Sequence, residues 1–433
     1  MNLTAVAILM VALVIASAFI KKLPMQFILC VVPIVCGLLA GYHIKEIGDI
    51  AMAQIAKNMQ SAGIMCLFAM VYFTMLGETG MFNTVIKNLL KLTRGKVSVY
   101  VVMIITSIVS GIAFLTAQVV TAYSIVFPAM LPLYKKMKFN KASAMMIAQT
   151  SIAAMGFIPW GIAVVNSSVF AGVDTLELSQ RLMPVSLCFI PVIILQWFWF
   201  GMQHKKQGLP MTVEWTSEET VQENDEKGFR RPKLFWFNFL LFLAVIPGLV
   251  LAVMPSYLIF IIAAFLTLIV NYPDPKVHQK LLNQAGGRFF NTLMMLIGIS
   301  VFLGIFNESG MVKALATFVV GVFPTFLTRY VHIILAAIMV IVIRFMPNKI
   351  YNSMYPALIS VGSKFGLAGV DVIAPFVCNM SLATGSSPFT ATTHVGTALM
   401  DLDMDDYCRQ AVPVMEATNI LILVIALMMG VVR

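Results

Sequence analysis

The stretch from Glu78 to Pro159 occurs twice in this chain, and that recurrence limits the fold more than any other feature. It opens on Glu78-Thr79-Gly80-Met81, passes Tyr123 and Phe127-Pro128-Ala129, and closes on Gly156-Phe157-Ile158-Pro159. The second copy opens on Glu308-Ser309-Gly310-Met311, passes Tyr351 and Tyr355-Pro356-Ala357, and closes on Gly385-Ser386-Ser387-Pro388. From Glu78 to Glu308, Pro128 to Pro356 and Pro159 to Pro388 the offsets are 230, 228 and 229 residues. Three landmarks holding one spacing indicate a duplicated unit rather than coincidence.

The duplicated unit is strongly apolar. Hydrophobic residues make up 60% of the chain and charged residues 11%, against about 25% charged in a soluble domain. Apolar runs long enough for a bilayer core of about 20 residues recur throughout. In the first half they are Leu3–Ile20, Pro24–Gly41, Gly63–Gly77, Ala142–Phe170 and Leu182–Gly201. In the second they are Leu234–Val253, Ser256–Val270, Phe290–Phe306, Val370–Val395 and Ala411–Val432. Leu3–Ile20 lacks a basic leader and a small-residue cleavage site, so a retained span is expected. His43–Gln60 is amphipathic and reads as interfacial, Thr79–Leu92 as a helix lying flat. The six cysteines are scattered in apolar surroundings and read as core. No nucleophile or metal constellation argues for an enzyme, and no cofactor is expected. The net charge of +10 belongs to loops; no basic helix with interleaved aromatics points to nucleic acid.

Two elements of nearly forty residues, Val97–Tyr134 and Thr328–Lys364, have polar middles. Re-entrant elements leave five crossings per half and elements that cross twice leave seven, an odd number either way, so the two halves are expected to be inverted. Irregular charged backbone at membrane depth is tolerated only inside protein or beside a water-filled cavity. Both elements are therefore read as re-entrant hairpins. The expected fold is an all-α polytopic membrane protein of two inverted repeats, each five spans plus a hairpin. With the N-terminus outside, 20 Lys and Arg fall on the cytoplasmic side, 7 outside, and Arg344 and Lys349 within the membrane. That is a positive-inside bias. The acidic run Asp401 to Asp406 reads as a solvated turn.

Transport needs a polar midplane site, and the chain offers four unwound places. Two are hairpin tips, with Thr116, Gln118 and Thr121 at the first and Arg344, Asn348, Lys349, Asn352 and Ser353 at the second. Two are helix breaks, Pro159-Trp160-Gly161 with Asn166 downstream, and Thr384-Gly385-Ser386-Ser387-Pro388 with Thr392 and Thr393 downstream. Freed carbonyls there hold a cation, and half-helix N-termini face an anion. No buried carboxylate is expected. Arg344 and Lys349 suit a carboxylate guest. His394, the one histidine beside a break, is the proton-carrier candidate, since histidine changes charge near neutral pH. Glu78 and Glu308 read as caps of the flat helices, and Trp160 also as packing.

Leu131-Pro132-Leu133-Tyr134-Lys135-Lys136, Asn271-Tyr272-Pro273, Pro159-Trp160-Gly161 and Ser387-Pro388 with Val395-Gly396-Thr397-Ala398 resemble the citrate–metal–proton symporters, the CitMHS family of the ion-transporter superfamily. The resemblance covers nearly the whole chain. It implies a fold like the divalent-anion/sodium symporters, with opposed hairpins, a homodimeric scaffold and an elevator motion. On that plan 1–92 and 233–324 are scaffold, 93–202 and 325–433 the transport domain, and 203–232 a cytoplasmic loop. The family's acidic first tip is here Thr116-Ala117-Gln118-Val119. Its second-tip Ser-Asn-Asp-like run is here Met346-Pro347-Asn348, followed by Lys349. The second Gly-Pro after Pro-Trp-Gly is here Ile162-Ala163, and an arginine of the pattern falls at Asn166. A hard divalent cation needs such acids. The expectation is therefore a bacterial-type inner-membrane symporter of free citrate or another di- or tricarboxylate, driven by H+ or Na+. Alternatives are a metal–citrate complex as cargo, an anion channel, or a carrier of a non-carboxylate solute. In cysteine-labelling experiments Lys135 and Lys276 are expected on the cytoplasmic side and Lys313 and Lys364 outside; Lys135 and Lys364 on one side would refute the inversion.

Overall fold

The computed structural model describes the chain except residues 1, 19–23, 92–94, 216–227, 251–252, 323–324 and 346–348. A few residues, Lys349 and Ser353 among them, are described by backbone alone. The first half runs α1 (Leu3–Ala18), α2 (Met25–Leu39) and α3 (Ile44–Asn58), which passes through a π turn into α4 (Ile64–Glu78), then α5 (Met81–Lys91). A helical hairpin follows, α6 (Val99–Ala113) and α7 (Val119–Met137), then α8 (Lys141–Ala154), α9 (Ile162–Ala171) and α10 (Thr175–Lys206). The second half has α11 (Phe235–Val250), α12 (Ser256–Asn271), α13 (Pro275–Glu308) and α14 (Met311–Val322). Its hairpin region is α15 (Thr325–Ala337), α16 (Met339–Phe345) and α17 (Lys349–Ser363), followed by α18 (Gly369–Thr384), α19 (Ala391–Met400) and α20 (Met404–Met428).

Polar side chains start the helices where the apolar runs begin. Asn140, Asp174, Asp274 and Asp403 each accept a backbone N–H of the first turn of α8, α10, α13 and α20. Five helices among the described residues are long and apolar enough to cross a membrane: Val99–Thr116, Thr175–Lys206, Pro232–Leu249, Pro275–Glu308 and Met404–Met428. Two further pairs qualify but are bent, by 53° between α4 and α5 and by 68° between α15 and α16. Shorter apolar helices, α1, α2, α9, α12 and α18, pack among them.

The element order of the first half returns in the second, α4 answering to α13, α7 to α17, α8 to α18, α9 to α19 and α10 to α20. The two broken segments run antiparallel. Lys141, at the start of α8, pairs with Asp401 at the end of α19 at 3.5 Å. Gly369, at the start of α18, abuts the end of α9, where a Cβ would stand 2.8 Å from the Ala171 carbonyl. Between these ends break meets break, with Gly156 against Ser381.

A short antiparallel ribbon, β1 (Lys96–Ser98) and β2 (Thr212–Glu214) with Val97 opposite Val213, accompanies the all-α bundle. Two expectations are corrected. The segment Lys276 to Arg288 is not a loop, because α13 runs unbroken from Pro275, its start fixed by Asp274 and by proline at a position needing no donor. The acidic run is more than a solvated turn, since Asp401 holds Lys141, Asp403 caps α20 and Asp405 holds Arg344 at 3.2 Å.

The motif Asn271-Tyr272-Pro273 ties the central loop to the bundle. Asn271 and Asn238 exchange two amide hydrogen bonds at 2.8 Å. Tyr272 donates to the Phe229 carbonyl, and Arg231 Nε to that of Asn271. α2 lies so close to α13 that a Cβ on Gly298 would stand 2.7 Å from the Gln26 carbonyl. Gly298→Ala is therefore expected to cost about 1–3 kcal/mol, read as a lowered melting temperature in detergent; an unchanged melt would contradict this packing.

Candidate functional site

The first break and the first tip lock together. α6 ends in a 3-10 turn, Phe114–Thr116; Ala117 takes a left-handed conformation (φ 59°) and the chain reverses into α7. Trp160 Nε1 donates to the Leu115 carbonyl at 2.8 Å. The indole stacks on Phe73 of α4 and meets Phe260 of α12 edge-on, each at 5.1 Å between centroids. Pro159 and Gly161 are buried beside it, and Thr116 Oγ1 donates to the Ala113 carbonyl. Asn166, on α9, is buried with Oδ1 unpartnered.

The second break mirrors this arrangement. Ser387 Oγ donates to the Ile343 carbonyl near the end of α16 at 2.7 Å. Its own carbonyls are largely taken. Thr390 and Thr393 both donate to the Thr384 carbonyl, Thr390 also to that of Ser387, and Tyr407 to that of Gly385. Ser386 Oγ bonds back to Leu382 and Ala383. Thr392 Oγ1 and both amide atoms of Asn379 are buried without partners. His394 is exposed, its Nε2 at 2.9 Å from the Pro388 carbonyl.

Gln149 joins the halves. Its amide donates to the Ser381 carbonyl and accepts from Tyr123 of α7. Gly385 leaves the space it needs, since a Cβ there would overlap the Gln149 side chain.

At the second tip, Asn348 and the side chain of Lys349 lie outside the described residues, and Asn352 is half-buried. Arg344, expected within the membrane facing a guest, is held instead by the exposed Asp405. Nor is the interior free of carboxylates: Asp371 is 6% and Glu416 7% exposed, and Asp371 is held by Arg181.

Gln118 and Thr121 line a cavity of about 450 Å³, within the range of about 300–1,000 Å³ for small-molecule sites. Its other walls are the end of α4, the start of α5, Arg230 of the central loop and Arg288 of α13. Arg288 Nη1 donates to Thr74 Oγ1 at 3.2 Å, and Gln284 donates to Glu78 Oε1. Two guanidiniums and one amide-bonded carboxylate thus face one polar space. The sequence reading missed Arg230 and Arg288 because it left both in loops; the Asp274-Pro275 helix start was the signal that α13 carries Arg288 inward. A smaller cavity of about 180 Å³ lies between α13, the start of α14, α17 and the end of α9, in the corresponding place of the other half.

An all-helical bundle with two broken segments and a polar cavity beside the first hairpin tip defines a multi-pass membrane transporter. The chain belongs to the CitMHS family of citrate transporters, which matches residues 1–385. It is 26% identical over 416 residues to a citrate transporter of Bacillus subtilis (strain 168), covering 95% of each chain. It is 27% identical over 428 residues to the Mg(2+)/citrate complex secondary transporter of the same organism, covering 98% of this chain and 97% of that one. Among solved structures, the Alcanivorax borkumensis YdaH transporter matches 86% of this chain and 87% of its own with a TM-score of 0.55 at 12% identity, a likeness of fold.

Arg288→Gln is expected to weaken uptake of a polycarboxylate about 10- to 100-fold in apparent KM, the equivalent of about 1.5–3 kcal/mol for one charged hydrogen bond. Kinetics in vesicles check this, and an unchanged KM would remove Arg288 from the site.

Proposed function

We propose that the chain is a secondary active transporter of free citrate or a related di- or tricarboxylate, coupled to H+ or Na+, in the cell's inner membrane. The observation that carries this is the cavity behind the first tip, where Arg230 and Arg288 face Gln118 and Thr121. Its one carboxylate, Glu78, accepts from Gln284 and interacts electrostatically with Arg288. Two guanidiniums against one carboxylate leave a net positive charge beside the neutral tip, which suits an anion that brings no metal of its own. The two relatives named for citrate and for its magnesium complex support the substrate class.

The halves are inverted on this reading, which the antiparallel broken segments and the 20-to-7 charge bias support. The scaffold pairs as a homodimer and the hairpins travel with the broken helices as an elevator, as the family likeness implies. The larger cavity opens beside Arg230, on the Lys- and Arg-rich side, and its counterpart is smaller. The conformation is therefore read as inward-facing.

Reconstituted protein should take up labelled citrate in EDTA-treated buffer, and excess Mg2+ should slow uptake by sequestering free substrate. A strict requirement for a divalent cation would overturn the choice of free carboxylate in favour of the metal complex.

A further inference from the structure

Halfway along α20, twelve residues from either end, stands a carboxylate that the tips and breaks do not use. Glu416 is buried, and among the described residues no lysine or arginine lies within ion-pair distance of it. Its partners are polar groups released by the bend between α15 and α16. Asn419 Nδ2 donates to the carbonyls of Ala336 at 3.1 Å and Ala337 at 3.0 Å, and reaches Glu416 Oε2 at 3.4 Å. The carboxylate lies beside the backbone N–H groups of Val340 and Ile341. One turn of α20 therefore serves both sides of the bend, an amide for the loose carbonyls and a carboxylate for the loose N–H groups. The same turn is short of hydrogens. Asn419 Oδ1 is buried without a donor, and so is Gln196 Oε1, whose amide nitrogen bonds Thr418.

We propose that Glu416 is the proton-carrying group of the transport cycle, and that its charge state sets the geometry of α16. The inference rests on the reading of the chain as a coupled carboxylate transporter. Ionised, Glu416 holds the N–H groups of Val340 and Ile341 through charge-assisted bonds. Protonated, it is a weaker acceptor, and its new O–H supplies the donor that Asn419 Oδ1 lacks. The step is a proton transfer alone: water on one side gives the proton, the O–H bond forms, and the proton leaves to water on the other side. α16 continues to Ile343, whose carbonyl Ser387 holds, so loading at Glu416 is felt at the second break.

The titratable groups on the neighbouring elements are engaged elsewhere. Tyr351 of α17, a neutral phenol, donates to the Leu335 carbonyl. On α16 Arg344 pairs with Asp405. On α15 His332 meets the Arg433 carbonyl and Arg329 lies over Tyr330. Asp371 of α18 pairs with Arg181 of α10, Lys141 of α8 with Asp401, and His394 of α19 meets the Pro388 carbonyl. At the far end of α10, His204 meets the Pro210 carbonyl.

The test uses purified full-length protein in liposomes with labelled citrate. Wild type should accumulate citrate on an inward proton gradient. Glu416→Gln should lose at least tenfold of that accumulation while citrate–citrate exchange still proceeds, and Glu416→Asp should recover part of the gradient response. If Glu416→Gln does not fold, wild type treated with a hydrophobic carbodiimide gives the answer. An adduct on Glu416, formed faster at acid pH and accompanied by loss of gradient-driven uptake, is expected. Gradient-driven accumulation retained by Glu416→Gln overturns the proposal, as does carbodiimide inhibition with Glu416 unmodified, or a wild type driven by Na+ with no response to a proton gradient. Each of these leaves the carboxylate-transporter reading standing. Wild type that moves no carboxylate defeats that reading and this one together.

Discussion

Away from water, every backbone N–H and carbonyl needs a partner inside the protein, and this structure is organised by that demand. Polar function requires helices to break, and each break creates unpaired groups that cost free energy unless something answers them. Here the answers come from side chains placed one at a time. Trp160 answers the end of α6 at Leu115, Ser387 answers the end of α16 at Ile343, and Asn419 answers the bend after Ala337. Thr390 and Thr393 close the second break on itself. Several backbone groups released at the irregular places are thus partnered inside the protein.

How much of this was legible in the sequence follows from the kind of signal each feature leaves. Apolar runs and Gly/Pro breaks are local, so the spans and both interruptions were readable: Leu3–Ile20 against α1 at Leu3–Ala18, and the break at Gly156 to Gly161 between α8 and α9. Equivalent elements were also readable, because the duplication carries its own register. What stayed hidden depends on partners distant in the chain. Asp405, the partner of Arg344, stands sixty-one residues on, so the pair leaves no local signal. Glu416 is one acid in an apolar run, and only the bend at Ile338 explains its place. Gly286-Gly287 and the charges around them imitate a loop, although capping at Asp274 carries the helix straight through.

The cavity walls come from α4, α5, α7, α13 and the central loop. α4 packs against both α12 and α13, and Phe73 of α4 and Phe260 of α12 receive Trp160 of the first break. This aromatic contact adds directional ring packing to the area it buries. The amide pair of Asn238 and Asn271 ties α11 to α12 by directional bonds.

The bridge made by Gln149 has a bearing on energetics. Two strictly identical halves would give two end states that are mirror partners, equal in free energy, with neither preferred at rest. An amide has distinct ends, and this one presents its nitrogen to Ser381 and its oxygen to Tyr123. The residue in its place at the 229-residue offset is Cys378, which offers no such pair. This bridge is therefore one of the places where the duplicated halves are chemically unequal, and its two distinct ends fix which segment of each half it can hold.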